Sequence, residues 1–322
     1  MGYLPPTTIA SVLNQIQAQE LILPAIQREY VWETPQIVAL FDSVMRGYPV
    51  GGFLSWKVES STIEQFKFYG FLREYSSFDN YHCPVLDVPT TKSVTAVLDG
   101  QQRLTSLNVG LRGSYAERIR GAWSNNPTAY PRRRLYLNVL ADAPENESGL
   151  MYDLRFIRDD QISAERDKQD ETTYWFPVAE IFGAPGASDL VMLLAKHGVG
   201  NDAGAAGRVS KLWEAVHKTT SLHFYEETDQ DVERVLDIFI RVNSGGTVLS
   251  YSDLLLSIAT AQWKERDARQ AINALVDGLN AKGQGFKFSK DVVLKAALVL
   301  AGVGDFAFKV KNFNAANMTL LD

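Results

Sequence analysis

The sequence predicts a mixed α+β fold. Apolar residues recur at helical spacing from Ile9 to Ile16, which is typical of an amphipathic helix. Val94 to Leu98 is typical of a buried strand, and Asp99-Gly100 ends it before helical spacing resumes at Leu104. Beyond Trp175 the apolar pattern is mainly helical. We therefore expect a strand–turn–helix unit in the first half of the chain and a mainly helical second part.

Length and composition indicate a globular chain of about two domains. The 322 residues are 46% hydrophobic and 22% charged, which suffices for a buried core. Domains average roughly 150 residues, so the length suggests two. The change of pattern at Trp175 gives the division: a mixed domain over residues 1–175 and a mainly helical subdomain over residues 176–322.

Charge and cysteine content exclude several classes of protein. Lys and Arg total 32 against 38 Asp and Glu, a net charge of −6, so the chain is not a polycation that coats nucleic acid. No apolar run reaches the roughly 18 residues of a membrane-spanning helix, and Met1 to Thr8 lacks a signal-peptide pattern. Cys83 is the single cysteine and cannot form an internal disulfide. We expect a cytoplasmic protein without membrane contact, and any contact with DNA must be local.

The first elements have clear sequence boundaries. A capping threonine precedes the helix that begins near Ile9, and Leu21 to Pro24 is a short extended segment. The next helix is the best delimited, with Thr34 as N-cap, Pro35 in its first turn and Gly47 as terminator.

Further strands are predicted at Gly52–Trp56, Leu135–Leu140 and Leu222–Tyr225. Arg132-Arg133-Arg134 could touch a nucleic-acid backbone, but a solvated loop is favoured. The section from Asp159 to Glu171 is predicted to be a mobile loop.

The second part of the chain is predicted to be a series of helices. One carries Val232 to Phe239 and is broken by Asn243-Ser244-Gly245-Gly246. Two more lie near Ala268–Ala281 and Lys290–Leu300.

Three polar clusters at the ends of apolar elements are the candidate sites for chemistry. In the first, Gln27-Arg28 stands between apolar and aromatic neighbours, which would hold a guanidinium in a partly dry site suited to phosphate. A surface arginine beside a packed Tyr30 and Trp32 is the structural alternative.

The second cluster is the turn Asp99-Gly100-Gln101-Gln102-Arg103. A turn between a buried strand and a helix start exposes backbone N–H groups to an anion, Gly100 permits close approach, and Arg103 adds a positive charge. The alternative is capping, in which Asp99 accepts from the Gln101 or Gln102 amide. Spacing alone does not separate the two.

The third cluster is Asn243-Ser244-Gly245-Gly246. Consecutive glycines allow positive φ angles and could orient N–H groups into an anion-binding nest. An ordinary helix C-cap and connector is the alternative.

Several familiar templates are missing from the sequence. There is no G-x-x-x-x-G-K-[ST] phosphate loop, and Gly198-Val199-Gly200 follows Lys196-His197 instead of a strand, so it is not a dinucleotide fingerprint. The histidines have no spacing that suggests a metal-dependent nuclease. We therefore expect that this chain does not cut DNA by itself.

Taken together, the three clusters resemble one family. They are Ile26-Gln27-Arg28-Glu29-Tyr30-Val31-Trp32, Leu98-Asp99-Gly100-Gln101-Gln102-Arg103-Leu104-Thr105 and Arg241-Val242-Asn243-Ser244-Gly245-Gly246. Their joint order resembles the N-terminal domain of GmrSD-type modification-dependent (type IV) restriction endonucleases, from about Leu4 to the final helices.

The resemblance implies a fold and an activity. The first domain would have a nucleotide-binding fold like that of ParB and sulfiredoxin, and would hydrolyse a nucleoside triphosphate with Mg²⁺ in an anti-phage restriction system. The implied catalytic residues are Asp99, Gln101, Gln102 and Arg103, with Asp99 also at the metal. The implied nucleotide or phosphate contacts are Gln27, Arg28, Gly100, Thr105, Arg241, Asn243, Ser244, Gly245 and Gly246.

The resemblance also implies partners. One partner is modified phage DNA, whose modified base or backbone would be tested by a pocket that Tyr30 and Trp32 face, although core packing is favoured for Trp32. The other is a His-Asn-His-type nuclease domain or subunit, which this sequence lacks. A homo-oligomer is compatible with the sequence. One alternative is a non-catalytic modified-DNA sensor or interaction subunit, and another is sulfiredoxin-like redox chemistry, which would require a reactive Cys83.

Overall fold

The computed structural model describes most of the chain. The described residues are 2–24, 29–63, 67–89, 91–167, 172–243, 263, 266–282, 286–304 and 315–322. Their helices are α1 (Ile9–Gln17), α2 (Thr34–Met45), α3 (Ser60–Ile63), α4 (Gln101–Arg112), α5 (Ile162–Asp167), α6 (Ala179–Phe182), α7 (Ala187–Lys196), α8 (Ala203–His217), α9 (Val232–Asn243), α10 (Ala268–Asn280), α11 (Lys290–Leu300) and α12 (Ala315–Leu321). Their strands are β1 (Gly2–Tyr3), β2 (Leu21–Pro24), β3 (Gly52–Val58), β4 (Phe68–Tyr69), β5 (Glu74–Ser76), β6 (Val85–Leu86), β7 (Val94–Asp99), β8 (Ser114–Ala116), β9 (Arg132–Asp142), β10 (Tyr152–Arg158), β11 (Trp175–Pro177) and β12 (His223–Glu227).

The mixed α+β class is confirmed. Within the described residues one sheet has seven strands in the order β1-β12-β3-β7-β2-β4-β6, and a second sheet has the order β10-β9-β8-β5, with β11 also paired to β9. In the first sheet β7 is antiparallel to β3 but parallel to β2. The carboxyl ends of β2 and β7 therefore lie at the same edge of this sheet.

Both faces of the seven-stranded sheet are covered. On β7, Val97 belongs to the main core, whereas the alternate residues Ala96 and Leu98 belong to a second cluster with Val235 and Phe239 of α9. The main core also contains α1, α2, α4 and α8 and extends to β9 and β10 of the second sheet. A layer of helices thus separates the two sheets, with α4 inside it.

The C-terminal helices build a smaller cluster of their own. Buried residues of α10, α11 and α12 pack together, and these are Ala268, Ile272, Val293, Leu294, Leu298 and Met318. No helix within the described residues combines the length and the apolar character needed to cross a membrane.

Helices α1 and α2 follow the sequence prediction closely. Thr8 caps α1, with its Oγ1 accepting from Ser11 N at 3.1 Å. For α2 the predicted N-cap is wrong by one residue. The N-cap is Glu33, because its N–H donates to Gln36 Oε1 at 2.8 Å.

One loop prediction is wrong, and a second is wrong over part of its length. Arg132 to Arg134 form the start of β9 and not a loop, because their backbone pairs with β8 and β10. Carboxylates from other segments also pair with their side chains. The pairs are Arg132–Glu74 at 3.4 Å, Arg133–Glu117, and Arg134–Asp159 at 3.6 Å. Within the section from Asp159 to Glu171, residues Ile162–Asp167 form helix α5, and residues 168–171 lie outside the described part.

The division after residue 175 stays a prediction. Strand β12 comes from beyond that point and pairs with β1 and with β3 in the seven-stranded sheet. The second part of the chain therefore contributes to the same sheet as the first.

Candidate functional site

The candidate site lies at the sheet edge where parallel strands β2 and β7 end. Leu21 is opposite Thr95 and Ile22 is opposite Ala96, so Pro24 comes close to the end of β7 at Asp99. The first cluster continues from Pro24, although Gln27 and Arg28 lie outside the described residues. Ligands of open α/β sheets bind at such carboxyl ends.

The turn after β7 requires glycine. Gly100 is the N-cap of α4 and has φ +95°, in the left-handed region, and a Cβ there would overlap the Phe53 ring. No side chain caps the helix, so the structure does not show the capping alternative for Asp99. The first N–H groups of a helix have no intrahelical acceptor, and they give this end a partial positive charge.

Arg103 is held rigidly in the first turn of α4. Its Nη2 donates to Asp99 Oδ2 at 3.2 Å and to Gly52 O at 2.9 Å, and its Nη1 donates to Val50 O. The guanidinium also lies over the Phe53 ring, 4.5 Å from the ring centroid. Burial lowers the pKa of Arg103 and the Asp99 carboxylate opposes that shift, so the group keeps its charge in a fixed orientation.

Gln102 makes a contact that the sequence did not predict. Its Oε1 accepts from Val31 N at 2.9 Å, and its Nε2 donates to Glu29 O at 3.0 Å. The side-chain amide therefore fastens the Glu29–Val31 part of the first cluster to the turn of the second. Gln101 is buried beside it.

Three other predicted residues are packed into the interior or against it. Thr105 is fully buried, and its Oγ1 has no hydrogen-bond partner within the described residues. Tyr30 is buried, with its hydroxyl hydrogen bonded to Ser106 Oγ at 2.8 Å, and burial raises its pKa. Trp32 packs partly buried against the main core. These positions favour structural roles for Tyr30 and Trp32 and do not present either ring to a DNA base.

The third cluster begins where α9 ends. The start of α9 lies near the end of β3, because Trp56 Nε1 donates to Asp229 O at 2.8 Å and Gln230 Nε2 donates to Lys57 O at 2.8 Å. The helix contacts β7 and is about 18 Å long, so its last turn points toward the Asp99 end of the sheet. Arg241 is exposed in that last turn, and Asn243 is the final residue of α9. Ser244, Gly245 and Gly246 lie outside the described residues.

The comparison with protein families gives a match. The family described as GmrSD restriction endonuclease, N-terminal domain, matches residues 9–260, which is most of the chain. The chain belongs to the GmrSD N-terminal domain family. A comparison with curated proteins finds no match. Membership associates this chain with restriction systems.

This GmrSD N-terminal domain contains site residues that the sequence analysis missed. Val50, Gly51, Gly52 and Phe53 form the wall that holds Arg103, and a Cβ on Gly51 would press against its Nη1. The adjacent glycines before an apolar strand were the available sequence signal.

A second missed feature is a cavity of about 450 Å³ between α10 and the first half of the domain. Here His82 Nδ1 lies 3.3 Å from Glu29 Oε1 and His82 Nε2 lies 3.6 Å from Asp277 Oδ2. The hydrogen bond with Glu29 raises the pKa of His82, against the opposing effect of partial burial. Cys83 lines the cavity and is buried. No group of three His, Cys, Asp or Glu residues suited to a metal ion occurs in the described parts of the chain.

Proposed function

We propose that this GmrSD N-terminal domain binds a nucleoside triphosphate at the Asp99 edge of the sheet and hydrolyses it, as the regulatory part of a restriction system that acts on modified DNA. The observation that carries the proposal is the fixed guanidinium of Arg103 beside the N-terminus of α4. A rigid cation and an array of N–H groups at one turn are complementary to phosphate oxygens.

The turn would bind the phosphates through its backbone and through Arg103. Gly100 lets a phosphate approach the N–H groups closely because it has no side chain. Arg103 would stabilise the negative charge that grows on the phosphoryl oxygens in the transition state. Because carbonyl oxygens already orient the guanidinium, little reorganisation accompanies the reaction.

Asp99 fits a role at Mg²⁺. Its Oδ2 contacts Arg103, its side chain is 35% exposed, and Oδ1 has no hydrogen bond in the described part of the chain. Magnesium commonly takes one or two carboxylates together with substrate phosphates. Bound Mg²⁺ would neutralise phosphate charge, and Asp99 would hold it through the open oxygen.

The remaining predicted residues would complete the site. Gln101 would orient the attacking water, while Gln102, whose amide is already engaged, would position the Glu29–Val31 segment. Gln27 and Arg28 would approach from the end of β2 and add phosphate contacts. Arg241, Asn243, Ser244, Gly245 and Gly246 would approach from the end of α9 and close over the nucleotide. Thr105 would need local opening to reach a phosphate, since it is fully buried.

Hydrolysis would act on partners outside this chain. A switch in the α9 region between two nucleotide states would license or release a His-Asn-His-type nuclease domain or subunit in the presence of modified phage DNA. The path of α9 supports this route, because the helix joins the sheet core at Phe239 and ends toward the nucleotide edge.

A phosphate-release screen of the purified chain tests the proposal. The four nucleoside triphosphates with Mg²⁺ are tested with and without modified duplex DNA, and Asp99→Asn is the matched variant because it keeps the size of the side chain. We expect release with at least one nucleotide and a loss of release in Asp99→Asn. Equal phosphate release by the wild type and by Asp99→Asn would contradict the proposed site.

The alternative is a sensor of modified DNA that hydrolyses nothing. The full burial of the Thr105 hydroxyl and the engagement of Gln102 favour it, since neither group is presented to a ligand. Modification-dependent DNA binding without any phosphate release would select this alternative.

A further inference from the structure

A second cavity lies at the opposite end of β7. It has a volume of about 520 Å³, and its lining includes Leu21, Ser55, Lys57, Lys92, Thr95 and Phe224. Thr95 and Asp99 are four residues apart on one strand, a separation of about 13 Å. The fully buried Val97 lies between them, so the two ends of β7 are separate sites.

The polar side chains in this cavity stand on the face of the sheet from which Phe53, Val97 and Phe224 pack into the main core. Residues 53, 55 and 57 of β3 share that face, since strand residues alternate. Phe53 packs into the main core, but Ser55 and Lys57 follow it, and Lys57 is opposite Thr95 on β7. An apolar residue would be expected at such positions, so the polar ones indicate a requirement other than packing.

Ser55 is the most informative of these residues. It is fully buried, and its Oγ has no hydrogen-bond partner in the described residues. A buried hydroxyl without a partner destabilises a fold. Ser55 lines the cavity, so a ligand with an acceptor atom would satisfy its hydroxyl after a small local shift that exposes the oxygen.

Two lysines give the cavity its positive charge. Neither Lys57 nor Lys92 makes an ion pair within the described part of the chain. The nearby acids are Glu20 in the lining and Glu226 opposite Ser55 on β12, and neither pairs with them. The lysines are therefore available to an anionic group.

We propose that this cavity binds a small phosphate ester of the nucleoside monophosphate class. The phosphate would contact Lys57, Lys92 and the Ser55 hydroxyl. The buried side chains of Leu21 and Phe224 would pack against the nucleoside, and Glu20 would accept from its hydroxyl or amino groups. The volume lies within the roughly 300–1,000 Å³ of small-molecule sites. The proposal does not rest on hydrolysis at the Asp99 edge.

Calorimetric titration of the full chain with adenosine 5′-monophosphate tests it, with adenosine as the ligand that lacks phosphate. We expect binding of the monophosphate alone, weakened about tenfold or more by Lys57→Gln and by Lys92→Gln. The matched control is Lys282→Gln, because Lys282 is exposed and has no ion pair in the described residues. Unchanged affinity in both cavity variants, equal loss in Lys282→Gln, or equal binding of adenosine would overturn the proposal.

Ser55→Ala separates a ligand contact from a structural role. We expect severalfold weaker monophosphate binding, while the Tm of the unliganded protein stays the same or rises, because the lost hydroxyl has no partner. A lower Tm with unchanged affinity would assign the hydroxyl to the fold and contradict a ligand contact.

Two further measurements locate the monophosphate. Binding should persist in Arg103→Ala, and a loss there with retention in the lysine variants would put the ligand at the Asp99 edge instead. Lysine acetylation followed by mass spectrometry should show protection of Lys57 and Lys92 but not Lys282, and this test needs no variant. Equal protection of all three lysines by the monophosphate would contradict a small-molecule site in this cavity. Protection by duplex DNA but not by the monophosphate would also contradict it.

Discussion

The two ends of strand β7 hold positive charge in different ways. At the Asp99 end, the guanidinium of Arg103 is fixed by the carbonyl oxygens of Val50 and Gly52 and by Asp99. At the Val94 end, Lys57 and Lys92 have no carboxylate partner within the described residues. One end therefore presents a rigid cation in a fixed direction, and the other presents mobile ammonium groups around a cavity.

This difference bears on what each end can do. A cation that is oriented before the ligand arrives can stabilise charge that develops during a reaction. Flexible lysines pay an entropy cost when they bind, so they suit recognition of a phosphate better than its cleavage. The comparison therefore supports the two proposals, catalysis at the Asp99 end and binding at the Val94 end.

The largest expected effect concerns Arg103. Arg103→Ala should lower phosphate release by about 100-fold or more, since one transition-state contact of this kind is worth about 3–4 kcal/mol. Steady-state phosphate release at saturating nucleotide measures the change.

The matched control for that variant is Arg112→Ala. Arg112 ends the same helix, and it also donates to a carbonyl, Leu13 O at 3.2 Å. We expect Arg112→Ala to lower stability without affecting release per folded molecule. Equal losses of release in the two variants would show that Arg103 acts only through the fold.

The next effect concerns the turn itself. Gly100→Ala should destabilise the fold by about 2–4 kcal/mol, because it adds left-handed backbone strain to an overlap with Phe53. Gly47→Ala is the control that measures the backbone strain alone, because Gly47 has φ +71° and nothing lies within 4 Å of the added Cβ. This variant should lower the free energy of unfolding by about 1–2 kcal/mol. Urea unfolding of both variants gives the two values, and equal costs would mean that the turn relaxes away from Phe53.

A smaller effect is expected for Gln102. Gln102→Ala leaves Val31 N–H and Glu29 O without their partners, which should cost about 1–3 kcal/mol. Hydrogen exchange should become faster at Val31, while β7 near Thr95 is unaffected. Gln161→Ala is the control, because the Gln161 side chain is exposed, and it should change the free energy of unfolding by under about 0.5 kcal/mol. Unchanged exchange at Val31 would mean that Gln102 does not fasten this segment.

The smallest expected effect is a pH dependence of stability that comes from the contact between His82 and Glu29. The Glu29 contact raises the folded-state pKa of His82 above its ordinary value near 6.5. Its stabilising contribution is therefore complete below that value and is lost as the pH rises through the folded pKa. Because His82 is partly exposed, we expect less than about 1 kcal/mol.

Unfolding free energies between about pH 5.5 and 8.5 measure that contribution as the difference between the wild type and His82→Gln. His223→Gln is the control, because His223 is exposed and contacts no carboxylate within the described residues. A difference that grows with rising pH would have the wrong sign for the proposed pair.

Local patterns predicted much of the fold. Pro35 and Gly47 delimited α2, and Asp99-Gly100 marked the passage from β7 to α4, because these signals act over a few residues. Arg132 to Arg134 were assigned to a loop because their partners, such as Glu74 and Asp159, are distant in sequence. Strand pairing and long-range ion pairs leave no local pattern.

The candidate site was likewise predictable from the sequence only in part. The order of the motifs identified Asp99 to Arg103, but the wall of Val50, Gly52 and Phe53 comes from the start of β3 and the residues just before it, which carry no motif. Gln102 was predicted to be one of the catalytic residues, and the structure shows its amide fastened to the backbone of Glu29 and Val31. Such contacts depend on how separate strands align, and the sequence does not contain that register explicitly.

The most direct test of the account is hydrogen exchange of the full chain with a saturating non-hydrolysable nucleoside triphosphate analogue and Mg²⁺, taking the four bases in turn. We expect at least one analogue to slow exchange in the peptide that spans Gly100 to Leu104 and to leave exchange of the Val94 to Thr95 backbone unchanged. Unaltered exchange at Gly100 to Leu104 with every analogue would contradict a triphosphate site at this turn.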